Sequence, residues 1–113
     1  MTSEPRPAAP QATHVAIDTA DEQRAVLTFS GVLDSHALRE LEERLLDPRL
    51  RQAGTWVWEM RAVERIDLAC AYAVLRAATT LPPTTSITIR GAHRDVQRTL
   101  HHAGVDAVAT IEE

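Results

Sequence analysis

Val63-Glu64-Arg65-Ile66-Asp67-Leu68-Ala69-Cys70-Ala71-Tyr72-Ala73-Val74-Leu75 turns from strand to helix around one aspartate. Up to Ile66 the chain carries β-formers, continuing from Thr55-Trp56-Val57-Trp58-Glu59-Met60 after Gly54. Beyond Asp67 the small and apolar residues recur at helical spacing, as far as about Thr80 and before Pro82-Pro83. Asp67 suits the N-cap, where its carboxylate accepts N–H bonds from the first turn and is favoured by the helix dipole. Leu68, Ala71, Tyr72, Val74, Leu75 and Ala78 form a wide stripe expected to face the core. That leaves Cys70, Ala73 and Ala77 with Arg76 on the outer side, where small residues would admit another backbone.

Upstream, Gly31-Val32-Leu33-Asp34 leads into a helix from Ser35 to Leu46, with Leu38, Leu41 and Leu45 as its apolar stripe. Asp34 or Ser35 serves as its cap, and Pro48 ends it. Arg39/Glu43 and Glu40/Arg44, spaced i, i+4, mark a solvated face. His14 to Ile17 and Ala25 to Phe29 read as antiparallel strands joined by the polar segment from Thr19 to Gln23. Residues 1–12, with Pro5, Pro7 and Pro10, read as a disordered lead to a domain spanning 13–113. Trp56 and Trp58 share one strand face, expected to be core; were that face open, it would be a second interface.

Downstream, Ser86 to Arg90 alternates as a strand broken by Gly91. Arg94 to Ala103 reads as a helix with Val96, Leu100 and Ala103 inward, closed by Gly104 and an apolar contact from Val105. The order β-β-α-β-α-β-α predicts an α/β domain: one mixed, mostly parallel four-stranded sheet with helical crossovers.

Composition narrows the function. With 113 residues, 44% of them hydrophobic, the chain makes one compact domain. A formal charge of -4 argues against a general nucleic-acid binder and for a protein partner. The chain has no run of about 18 apolar residues and no signal-peptide pattern, so a cytoplasmic location without membrane insertion is expected. The single cysteine excludes an internal disulfide. All 12 basic residues are arginine, which reads either as genomic base composition or as an arginine-based contact surface. No glycine-rich phosphate loop, paired catalytic carboxylates or convincing triad is present, so no enzyme and no cofactor is expected. Cys70 near a helix N-terminus, with His36, His93, His101 or His102, is the nearest approach to a nucleophile, and an inert small residue is the simpler reading. His101-His102 are adjacent rather than at i, i+4, so metal binding is not expected.

These landmarks together resemble the STAS domains, the anti-sigma factor antagonist family. Gly31-Val32-Leu33-Asp34 resembles the family's glycine-x-leucine-aspartate. Trp56 to Met60 stands where an apolar strand ends in aspartate-leucine, with Glu59 keeping the acid. Ile66-Asp67 matches the start of the family's aspartate-Ser-Ser-Gly loop, and residues 87–91 with Val96, Leu100 and Gly104-Val105 match its last strand and helix. In the family the second serine is the usual phosphate acceptor, a modification that sets about two negative charges beside a protein interface. Here Leu68, Ala69 and Cys70 replace the Ser-Ser-Gly, so that chemistry is absent. Either the loop is held permanently binding-competent, or it has been turned to another partner.

The resemblance implies a partner-binding edge at Asp34, Ser35, Asp67, Leu68, Ala69, Cys70 and Ala73. It also implies an anti-sigma factor of the ATP-binding serine-kinase type as partner, sequestered by a monomer or weak homodimer. The alternatives are a STAS subunit of a lipid-transport ABC complex, a scaffold with a reassigned partner, and an enzyme built on Cys70.

Overall fold

In the computed structural model, which describes residues 14–21, 23–82 and 84–112, the elements follow in a simple order. Strands β1 (Val15–Asp21) and β2 (Arg24–Leu33) precede helices α1 (Ser35–Arg44) and α2 (Pro48–Gln52). Strand β3 (Thr55–Ile66), helix α3 (Leu68–Thr79), strand β4 (Ser86–Arg90) and helix α4 (Arg94–Ala103) come next. A 3-10 turn over Val105–Ala107 and strand β5 (Thr110–Ile111) complete the chain. The lead expected over 1–12 lies outside the described residues.

The sheet runs β1-β2-β3-β4-β5, antiparallel only between β1 and β2. Four strands were expected, and β5 is the fifth. At two residues it is too short to show an alternating pattern, but it pairs Thr88 with Thr110 and Ile89 with Ile111. The hairpin strands are longer than the sequence suggested, and β3 extends six residues past Met60 to Ile66.

Because spatial order repeats chain order, right-handed crossovers put every helix on one side of the sheet. Burial agrees. Ala25, Leu27 and Phe29 of β2, Trp56, Trp58 and Met60 of β3, and Ile87 and Ile89 of β4 all lie in the core beneath the helices. On the opposite face Thr28 is exposed, Thr88 is half-buried, and Glu59 meets Arg90 at 3.8 Å. Val57 is buried on that face because its strand is flanked by Val26 and Thr88.

The two tryptophans are both core, so their face offers no second interface. Trp56 donates its Nε1–H to the Leu50 carbonyl at 2.9 Å, holding α2 to the sheet. Trp58 stands edge-on to Phe29, with centroids 6.0 Å apart, and its buried Nε1 has no partner among the described residues.

Pro48 does more than stop α1. It occupies the first turn of α2, where a missing N–H costs nothing, and the Asp47 carboxylate caps that helix by accepting Arg49 N at 2.9 Å. Glu40, which the i, i+4 spacing assigned to Arg44, turns instead to β1 and accepts His14 N at 2.6 Å, His14 Nδ1 at 2.8 Å and Val15 N at 3.4 Å. Two backbone donors at the start of a strand outcompete a flexible surface cation. At the other end, Gly104 takes φ 91°, the left-handed C-cap of α4, and Val105 is buried beside it.

Candidate partner-binding site

Parallel strands β2 and β3 both end at the same edge of the sheet, and each is followed at once by a helix. The turns are built alike. Leu33 ends β2 and Asp34 caps α1, its carboxylate accepting His36 N at 3.0 Å. Ile66 ends β3 and Asp67 caps α3, accepting Cys70 N at 3.1 Å. The two loops are stitched together by Asp67 N donating to the Leu33 carbonyl at 2.9 Å and by Cys70 Sγ donating to the Asp34 carbonyl at 3.3 Å. Two acid-capped helix N-termini are therefore held side by side. Gly31, at φ 78°, sits where the β2–β3 register shifts, a bulge just before this edge.

The structure brings Asp34, Ser35, Asp67, Leu68 and Ala69 to this edge, with Asp34 and Asp67 half-buried and Ser35, Leu68 and Ala69 exposed. It moves the other two expected contact residues inside. Cys70 is 0% exposed and Ala73 3%, so neither lies on the outer side of α3. The exposed face instead carries Leu68 at 43% and Tyr72 at 41%, one helical turn apart, followed by Arg76. The stripe expected to face the core is thus divided, with Ala71, Val74 and Ala78 inside and Leu68 and Tyr72 outside.

The physical reason is the spacing between helices. α3 packs against both α1 and α4, and small side chains at Cys70 and Ala73 allow the close approach to α1 that a leucine or tyrosine would prevent. With Arg76 as the sole charged residue of α3, polarity could not reveal the rotation.

Tyr72 and His36 are also exposed at this edge, and the sequence reading singled out neither for contact. For Tyr72 the available clue was its i, i+4 relation to Leu68. His36 adjoins the α1 cap, which the sequence already placed.

Electrostatics disfavour Cys70 as a nucleophile. Burial, then the neighbouring Asp67 carboxylate, pushes its thiol up to about 12, so it stays protonated and acts as a donor to the Asp34 carbonyl. Ala69, at the second position of α3, points a methyl group outward where a hydroxyl would be needed to take a phosphate. The edge therefore offers a bulky apolar pair and two half-buried carboxylates that cap the adjoining helices. That combination suits a protein surface better than a small polar substrate.

Among the described residues no helix is long and apolar enough to cross a membrane. No curated protein matches the chain. Solved structures do match in fold. SpoIIAA, an anti-sigma factor antagonist in its unphosphorylated form, aligns with TM-score 0.69 over 88% of both chains at 16% identity. An anti-sigma factor antagonist from Mycobacterium paratuberculosis aligns with TM-score 0.71 at 17% identity, covering 86% of this chain and 82% of that one. The phosphorylated form of the Bacillus cell fate determinant SpoIIAA gives TM-score 0.64 at 15% identity, over 88% and 91%. The family described as "Mlab, STAS domain" matches residues 7–112, nearly the whole sequence, and with the SpoIIAA-like α/β fold this establishes that the chain belongs to the STAS domain family.

Proposed function

We propose that this STAS domain is a non-catalytic regulator that binds a partner protein through the edge formed by the N-termini of α1 and α3, in the manner of an anti-sigma factor antagonist, and does so without a phosphorylation switch. The observation that carries the reading is the exposed pair Leu68 and Tyr72 beside Ala69. Apolar side chains of this size, with the Asp34 and Asp67 carboxylates at the same edge, suit the apolar centre and polar rim of a protein contact. Two of the similar solved structures are of anti-sigma factor antagonists, which supports an anti-sigma factor as partner; that it is of the kinase type and that the setting is cytoplasmic are part of the same proposal.

A second reading is a STAS subunit of a lipid-transport ABC complex. It is favoured by the replacement of the loop's hydroxyls with bulk at Leu68, because a permanent subunit needs no release switch, and by the match to the family described as "Mlab, STAS domain".

Affinity capture from the cell extract of origin, followed by mass spectrometry, tests both. Recovery of an anti-sigma kinase that is lost with Leu68→Glu supports the first reading, and recovery of an ATPase subunit lost with the same variant supports the second. Phosphate on any residue from 67 to 73 after incubation with the kinase would contradict the unswitched site.

A further inference from the structure

Away from that edge, the C-terminal ends of α1 and α3 fail to close on each other. Ala77 stands on α3 where a larger side chain would bridge to α1, and α1 gives way after Arg44 to the turn that carries Leu45 and Leu46. The result is a groove of about 470 Å³, lined by Leu45, Leu46, Ala77 and Leu81 over Leu50 and Trp56. Its floor is fixed, because Trp56 and Leu50 are buried and tied by the bond from Trp56 Nε1 to the Leu50 carbonyl at 2.9 Å. At its rim Leu46 is 69% exposed, the most exposed large apolar side chain among the described residues.

The rim also carries charge. Arg76 spends its guanidinium on Glu42, at 3.1 Å, whereas Arg51 is exposed and has no ion pair among the described residues. Two arginines against one glutamate leave the mouth with a cationic surplus on a chain whose formal charge is -4. An apolar slot ending in an unpaired guanidinium is complementary to a molecule with an aliphatic body and an anionic head. The volume, in the lower half of the roughly 300–1,000 Å³ usual for small-molecule sites, fits one chain better than the two of a phospholipid.

We propose that the groove between α1, α2 and α3 binds a single-chain amphiphilic carboxylate, its hydrocarbon along Leu45, Leu46, Ala77 and Leu81 above the buried Trp56 and its carboxylate at Arg51. The site is separate from the partner-binding edge, so its test does not depend on that reading. Ligand in the groove covers Leu46 and adds contacts across the α1–α3 gap.

The probe is laurate, titrated below its micelle concentration into the full chain and followed by calorimetry and by tryptophan fluorescence, since Trp56 forms the floor. Laurate is expected to bind at one site per chain, and dodecyltrimethylammonium, of equal length and opposite charge, about tenfold more weakly or worse. Arg51→Glu, at an exposed position that keeps the fold, lowers laurate affinity about tenfold while leaving dodecanol binding unchanged. Ala77→Leu fills the slot, abolishes binding of both and raises the thermal midpoint of the free protein. The proposal is overturned if laurate does not bind, if it binds equally well to wild type, Arg51→Glu and Ala77→Leu, or if light scattering shows the groove buried between two copies of the chain.

Discussion

Two tryptophans on one strand face are equivalent in sequence and differ in what their indole nitrogens do. Trp56 hands its N–H to the Leu50 carbonyl, and Trp58 has no such partner. Trp56→Phe removes one of the two donors to the Leu50 carbonyl, which keeps only the longer bond from Ala53 N at 3.3 Å, whereas Trp58→Phe removes a donor that has no acceptor; urea denaturation should show Trp56→Phe more destabilising by about 1 kcal/mol. Glu40 is a second residue whose role the spacing rule missed. Burial alone would raise its carboxyl, but the His14 side-chain bond and the backbone N–H groups of His14 and Val15 outweigh it and hold the group below its ordinary 4.5. A depressed carboxyl contributes stability above its unfolded value and loses it as pH falls through the folded one. The thermal midpoint should therefore decline on acidification below about pH 4.5. Glu40→Gln should cost about 1 kcal/mol at neutral pH and flatten that decline.

The N-cap aspartates show how much an element reveals of itself. Asp67 was legible because a helix start needs an acceptor for its free N–H groups; the same rule narrowed the first cap to Asp34 or Ser35, and the structure selects Asp34. The rotation of α3 was not legible, because Cys70 and Ala73 on one stripe and Leu68 and Tyr72 on the next are all uncharged, and only the neighbouring helix decides which is buried. Function is argued from that rotation. Asp67→Ala should cost about 1 kcal/mol in denaturant unfolding by loss of the cap. Ala69→Asp leaves the cap intact and adds a carboxylate to the exposed first turn; captured partner should fall about tenfold or more with little change in stability.

For the whole molecule, the sequence supplied the number of layers and the mixed sheet, because alternating strands and helices leave few other arrangements. It fell short at the sheet's far edge, where two residues of β5 pair with β4 without a pattern of their own. It also could not show the groove, since a gap between helices is a property of two elements at once. Central β3 is paired on both sides and its Trp58 and Met60 are fully buried, whereas β5 is paired on one side only. Native-state hydrogen exchange should place the slowest amides in residues 56–60 and let Ile111 exchange by local fraying at a far lower opening cost.

The strand order of the sheet also bears on how the chain is made. Each strand lies beside the one synthesised just before it, so a nascent chain leaving the ribosome can lay down the sheet edge by edge. No later strand has to be threaded between two that are already paired. The β1–β2 hairpin can form while α1 is still in the exit tunnel, and every following crossover delivers its strand to an open edge. The apolar face that β1 and β2 offer, with Val15, Leu27 and Phe29, waits for a cover, and cooperative folding should begin only once Thr79 has emerged and α3 can close over the tryptophans of β3.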